Sequence, residues 1–289
     1  TTDSISEHVD YAELLADVLP GLAGQDPRAL SFEAAPDLRA IVLCAGRDIP
    51  GMQTASSFLA AGASTAEDEA LAGGAARRVR DTAAIIYTSG TTSNPKGCEL
   101  TNGNLQDDWS TFARVVSLKA GETVWMPMPF FHTGGIGPMT AILALGAAFI
   151  TQPYYDADNV VELVERHRAE HLYPGFPQYT LGVVEHPRFD RVRFSLVRSL
   201  LNVGPAAMQR HIQSLLPEGA VLLNLFGMTE GSGIVTFTAA DAPYPVRAET
   251  AGLPPPHTDV RIVDPESGAV VADGTPGEIQ FRGAGAFKA

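Results

Sequence analysis

Hydroxyl groups at Thr88, Ser89, Thr91, Thr92 and Ser93, permissive backbone at Gly90 and Gly97, and the ammonium of Lys96 are gathered in one string, YTSGTTSNPKG (87–97). It follows the apolar run AAII (83–86). A strand that runs into glycines, hydroxyls and a lysine offers backbone N–H groups and a point charge, the ingredients of a phosphate cradle. The nucleotide P-loop pattern G-x-x-x-x-G-K-[ST] does not fit. Counted from Gly90, Pro95 stands where its second glycine belongs, and Gly97 where its magnesium-binding hydroxyl belongs. A plain turn-rich surface loop is the competing reading.

A second polar string, NLFGMTEG (224–231), ends another apolar run. Phe226 offers a flat face for a base, Gly227 lets backbone approach closely, and Thr229 and Glu230 supply a hydroxyl and a carboxylate. Taken alone, Glu230 reads as a solvated surface acid. His132 stands in the apolar segment MPFFHTGG (128–135), where a hydrogen-bonded core histidine is the bland reading. HRAEH (167–171) matches H-x-x-E-H, a zinc-protease pattern with both histidines on one helix face. Its flank VVELVER reads as an ordinary amphipathic helix, so the match is weak.

These residues need elements to hold them. Strands are predicted at 38–45, 83–88, 123–129, 147–152, 196–204 and 221–227 from apolar, β-branched runs. Helices are predicted at 105–116 with Thr101 as cap, at 141–146, at 159–171 with Asp156, Asp158 and Asn159 as candidate caps, at 177–187 and at 206–217. The Ala-rich charged stretch 63–81 reads as a surface helix or linker. Pro127, Pro129, Gly134, Gly135, Gly137 and Pro138 read as breakers, which leave 139–150 too short to cross a bilayer. After about residue 245 the chain is turn-rich, with short strands VRIVD and GEIQFRG and no helix. The alternation predicts an α/β fold of layered sheets flanked by helices, ending in the start of a small β-barrel-like unit. Its expected parts are 1–117, 118–245 and 246–289.

The chain has 289 residues, 45% hydrophobic and 18% charged, which suits a globular protein with a sizeable core. A net charge of −13 argues against nucleic acid as a main partner, yet leaves room for a small anion in a local cradle. Cys44 and Cys98 read as reduced thiols rather than a disulfide. TTDSISEHVD has neither the basic start nor the apolar core of a signal peptide, and it lacks an initiating Met.

The string YTSGTTSNPKG resembles the phosphate loop of the adenylate-forming (AMP-binding) superfamily: acyl-CoA synthetases, luciferases and the adenylation domains of peptide synthetases. Ser93 stands where the family usually has glycine. NLFGMTEG resembles the family's Y-G-x-T-E motif, with Phe226 for tyrosine. MPFFHTGG resembles the segment that opens the acyl pocket; NVGPAA (202–207) resembles the G-G-A-P turn, with Val203 and Pro205 departing; PGEIQFRG (276–283) resembles G-E-L-x-x-R-G. The resemblance spans nearly the whole chain. It implies the large N-terminal domain of these enzymes, here incomplete. It implies phosphate binding by Thr88, Ser89, Gly90, Thr91, Thr92 and Lys96, and an adenine side made by Gly204, Pro205, Ala206, Asn224, Phe226 and Gly227. It further implies an acyl pocket at His132, Phe176, Val203 and Gly233. The resemblance also implies catalytic roles for Thr229, Glu230 and Lys96, with Glu230 holding Mg2+.

The implied reaction is ATP-dependent activation of a small carboxylic acid to an acyl-adenylate, then thioester formation with CoA, in the cytoplasm. ATP, Mg2+ and CoA are the implied cofactor and co-substrates, and no stable membrane insertion is expected. An aspartate that would grip an amino group cannot be placed, since GFPQYTLG (175–182) is apolar; this favours the acyl-CoA synthetase branch. The chain stops at GAGAFKA (283–289), before the family's T-G-D motif, hinge and C-terminal lysine, so an incomplete and inactive piece of an acid–thiol ligase is expected. The alternatives are a nucleotide- or acyl-binding module without catalysis, and a peptide-synthetase-type adenylation domain.

Overall fold

The computed structural model describes residues 4–6, 9–44, 47–88 and 94–288. The chain divides into two compact units, Thr1–Arg77 and Arg78–Ala289. In the first, β1 (Ser4–Ser6) pairs antiparallel with β2 (Val9–Asp10). The helix α1 (Tyr11–Val18) starts where the Asp10 carboxylate accepts the backbone N–H groups of Ala12 and Glu13. β3 (Val42–Leu43) pairs with β4 (Gln53–Thr54), and α2 (Ala55–Gly62) and α3 (Glu67–Ala75) follow. The strand predicted over 38–45 shrinks to Val42–Leu43, because only the two residues of β4 pair with it.

The second unit is built on a five-stranded parallel sheet. Its strands are β7 (Thr123–Trp125), β8 (Ala148–Ile150), β9 (His171–Gly175), β10 (Ser199–Asn202) and β11 (Val221–Leu223), in the order β11-β10-β9-β7-β8. Neighbouring residues alternate between two cores. Val124, Tyr173, Leu201 and Leu223 join one face with Trp109, Phe112 and Ile142. Trp125, Leu172, Leu200 and Leu222 join the other with Val160, Val184 and Ile212. Burial on both faces is why these strands read as continuous apolar runs.

The helices follow the two faces. α4 (Asn102–Val115) and α5 (Thr133–Ala144) cover the first; α6 (Ala157–Arg166), α7 (Pro177–Val184) and α8 (Ala206–Leu215) cover the second. The chain steps outward from β7 to β8 through α5, then returns past β7 to β9, β10 and β11. Reversing direction while keeping one crossover hand requires the connecting helices to change face. β7 and β9 therefore flank the topological switch point, where open α/β sheets leave a crevice beyond the strand ends.

Several boundaries moved, each for a local reason. Thr101 caps α4 as expected, within a capping box in which Asn104 Oδ1 accepts the Thr101 N–H at 2.9 Å and Thr101 Oγ1 accepts the Asn104 N–H at 3.1 Å. α5 begins at Thr133, not 141, so Gly134, Gly135, Gly137 and Pro138 lie inside a helix, while Pro127 and Pro129 lie between β7 and α5. The glycines serve close packing: a Cβ at Gly135 would lie 2.2 Å from the Pro129 carbonyl oxygen, and one at Gly137 2.0 Å from Trp109 Nε1. The run 221–227 splits at Asn224, whose N–H turns to Thr238 Oγ1. β12 (Leu225–Phe226) then pairs with β13 (Thr236–Phe237) instead of extending β11. α6 ends at Arg166, so His167 and His171 of the H-x-x-E-H match do not share a helix; His171 opens β9. α9 (Tyr244–Glu249) crosses the point after which no helix was expected, and β14 (Thr258–Val263) with β15 (Glu278–Gly283) forms an antiparallel hairpin beyond it. Among the described residues no helix is long and apolar enough to cross a membrane.

Candidate active site

At the switch point lies a cleft of about 550 Å³, all of it within the second unit. Met128 and His132 reach it from the segment after β7, and Gly175 and Phe176 from the end of β9. Its rim is polar. β5 (Thr82–Thr88) and β6 (Lys96–Thr101) pair antiparallel with Thr88 opposite Lys96, and both residues line the cleft. Thr229 and Glu230 line it from a single 3-10 turn, Thr229–Gly231. Its floor is apolar and buried: Trp109, Met128, Tyr173, Leu201 and Leu225.

The rim turn is held from inside. A Cβ at Gly227 would lie 1.9 Å from the Gly233 carbonyl oxygen, so only glycine lets the two ends of the 227–233 turn meet. Ser232 is fully buried at φ 54°, in the left-handed region, and two contacts fix it there. Its hydroxyl donates to the Gly285 carbonyl at 2.8 Å, and Trp109 Nε1–H donates to its carbonyl at 2.8 Å. The Phe287 N–H donates to the Glu230 carbonyl at 2.8 Å. The backbone of Glu230 is thus fixed while its carboxylate stays at the rim.

The charged and titratable groups have distinct settings. The Glu230 carboxylate is half-exposed and the Lys96 side chain is exposed, and neither has a hydrogen-bond or ion-pair partner among the described residues. A lone carboxylate beside the Thr229 hydroxyl suits Mg2+, which keeps waters and shares phosphate oxygens with its substrate. Among the described residues no three His, Cys, Asp or Glu side chains cluster as a protein metal cage. His132 caps α5: its Nδ1 accepts the Gly134 N–H at 2.9 Å, which places the proton of the neutral ring on Nε2. Burial lowers its pKa and keeps it neutral. Burial, and secondarily the Glu230 charge, pushes the nearby Cys98 thiol up. His171 lies away from the rim, bonded through Nδ1 to Ser199 Oγ at 2.7 Å and through Nε2 to Glu122 at 3.1 Å, as a satisfied core histidine is.

Of the residues singled out from sequence, Thr88, Lys96, His132, Phe176, Val203, Gly227, Thr229, Glu230 and Gly233 line this one cleft. Ser89, Gly90, Thr91 and Thr92 lie outside the described residues. Gly204, Pro205, Ala206, Asn224 and Phe226 flank lining residues without lining the cleft themselves. The buried Asn224 amide is engaged in holding backbone: Nδ2 donates to the Thr250 carbonyl at 3.0 Å and Oδ1 accepts the Leu225 N–H at 3.1 Å. Sequence reasoning missed Trp109, Tyr173, Leu201 and Leu225. Each looks like an ordinary core residue, and only the glycines that crowd Trp109 could have drawn attention to it.

An open, doubly wound α/β domain with a bipolar small-molecule cleft at its switch point is the class that fold and site define. The chain belongs to the AMP-binding enzyme family, whose sequence model matches residues 31–289. It is 28% identical over 287 residues to the medium-chain acyl-CoA ligase ACSF2, mitochondrial, of Macaca fascicularis, covering 94% of this chain and 45% of that protein. It is 32% identical over 216 residues to 4-coumarate–CoA ligase 1 of Oryza sativa subsp. japonica, covering 70% of this chain and 37% of that one. Among solved structures, ATP-bound MatB from Rhodopseudomonas palustris superposes with a TM-score of 0.68 at 25% identity, over 82% of this chain and 47% of that chain. The fold is that of the N-terminal domain of adenylate-forming enzymes, and the chain spans about half the length of the relatives it matches.

Proposed function

We propose that the cleft binds ATP and a small carboxylic acid, and that the whole protein joins them as an acyl-adenylate before passing the acyl group to CoA. The observation that carries this reading is the meeting of two remote polar strings on one cleft with an apolar floor: Thr88 and Lys96 from one string, Thr229 and Glu230 from the other. An acyl-adenylate has the same polarity, a phosphoester between a polar nucleoside and an apolar acyl group.

The chemical difficulty is charge. A carboxylate must approach the α-phosphorus of a polyanion and expel pyrophosphate. Lys96 neutralises phosphate charge, and the Thr229 hydroxyl donates to an α-phosphate oxygen. Ser89, Gly90, Thr91 and Thr92, outside the described residues, keep the phosphate-binding role that the family resemblance implies. Mg2+, held by Glu230, would supply further neutralisation on the phosphates. Phe226 and the 204–206 turn, which stand beside the cleft and not in its lining, would take an adenine that extends past Val203 and Gly227. His132 and Phe176, whose rings meet edge-on at 6.1 Å, wall the acid and keep water away. No nucleophilic side chain is required, because ATP provides the leaving group.

The test is calorimetric titration of the chain with a 5′-O-(N-acylsulfamoyl)adenosine, a non-reacting acyl-adenylate mimic, with ATP as competitor. One site displaced by ATP is expected. An absence of binding, or binding that ATP leaves untouched, contradicts the proposal.

A further inference from the structure

We infer that Trp109 is the fixed end wall of the acyl arm and restricts the acid to a short chain or one small ring; this rests on the acyl-adenylate reading of the cleft. A cleft of about 550 Å³ lies within the range that holds one drug-sized ligand. In the acyl-adenylate reading the polar rim takes the phosphate, so the acyl group has only the part of the cleft over the floor. On that floor Trp109 is the largest side chain and only 2% exposed.

The indole has no room to retreat. Its Nε1–H is committed to the Ser232 carbonyl at 2.8 Å. Behind it Phe112 packs edge-on with ring centroids 5.8 Å apart, and Phe112 is itself held edge-on by Tyr173 at 5.4 Å and Phe237 at 5.7 Å. On its flanks a methyl at Gly137 would come within 2.0 Å of Nε1, and one at Gly233 within 3.1 Å of Cζ2. Both positions are glycine in the sequence, so the backbone has closed onto the ring from two sides. Swinging the indole aside would break that packing and orphan a buried carbonyl. A floor able to admit a long chain would need a side chain free to move aside, and these contacts hold Trp109 in place.

The experiment measures the affinity of the chain for 5′-sulfamoyladenosine, bare and carrying acyl groups from acetyl to dodecanoyl. Affinity should rise over the first few carbons and then fall by about tenfold or more once the chain meets the wall. Trp109→Ala should move the break to longer acyl groups and raise the affinity of the longest by about tenfold or more over the unmodified protein. Trp109→Phe, which keeps a ring in the core, should move it the same way by less. If the alanine variant fails to fold, the unmodified profile and Trp109→Phe decide the matter. An unbroken profile, or a break that Trp109→Phe leaves in place, overturns the role of Trp109. Failure of bare sulfamoyladenosine to bind overturns the adenylate reading itself; its binding beside a flat acyl profile overturns only the end wall.

Discussion

Asp108 offers a sharp test of how the site is supported. It lies on α4, 2% exposed, and its Oδ2 has no hydrogen-bond partner among the described residues. A Cβ at Gly285 would lie 1.7 Å from that oxygen, so the segment bonded to Ser232 packs directly on the carboxyl. Burial first, and the Asp107 charge second, pushes the carboxyl from 3.8 up to about 7. The folded protein therefore holds this proton more tightly than the unfolded chain. The stabilisation is complete below about pH 3.8, declines as pH rises, and is gone above about pH 7. Roughly three pKa units at about 1.4 kcal/mol each set a ceiling of about 4 kcal/mol. Relaxation and water entry around an ionised buried carboxylate should bring that to about 2 kcal/mol. Asp108→Asn keeps the shape and never ionises. Urea unfolding followed by tryptophan fluorescence should show the variant more stable than the unmodified protein by about 2 kcal/mol at about pH 8, with the advantage shrinking as pH falls and gone only below about pH 3.8. Equal stability differences at both ends of that range would refute the argument.

Other consequences can be checked separately. Glu230→Gln keeps shape but removes charge, so it should abolish the Mg2+-dependent part of ATP affinity, a loss of about tenfold in calorimetry, with the melting temperature unchanged. An unaltered Mg2+ dependence would remove Glu230 from the metal role. Gly227→Ala must displace the Gly233 carbonyl and should cost about 2–3 kcal/mol in urea unfolding; a neutral result would show that the 227–233 turn is not the tight fit described. His132, held neutral below the usual histidine range by burial, has the opposite sign to Asp108. The unfolded chain binds its proton more readily, so stability is present above the unfolded histidine pKa and is lost as pH falls through the lowered folded value. His132→Gln should flatten that acid limb, as thermal melts across the acid range would record.

The legible parts were those set by local chemistry. Asp156 and Thr101 cap helices where their side chains said they would. The alternating apolar runs gave the parallel strands, because burial on both faces leaves no other pattern. Period and punctuation failed where tertiary contact overrode them. Gly134, Gly135, Gly137 and Pro138 looked like breakers, yet α5 uses its glycines to press against Pro129 and Trp109. Asn224 hid a strand break, because the break depends on Thr238, which is remote in sequence. At the site, polar rim residues announced themselves by type and spacing. The apolar floor did not, since nothing in sequence separates a leucine that lines a cleft from one that fills a core.

The most direct test of the account is a crystal structure of this chain with an N-acylsulfamoyladenosine bound. The account predicts the sulfamoyl group within hydrogen-bond reach of Lys96 Nζ and Thr229 Oγ1, the base beside the 204–206 turn, and the acyl end directed at Trp109. A ligand seated elsewhere, such as the groove on the β14–β15 hairpin near Asp259 and Arg282, or one lying in the cleft with its base toward Trp109, would contradict it.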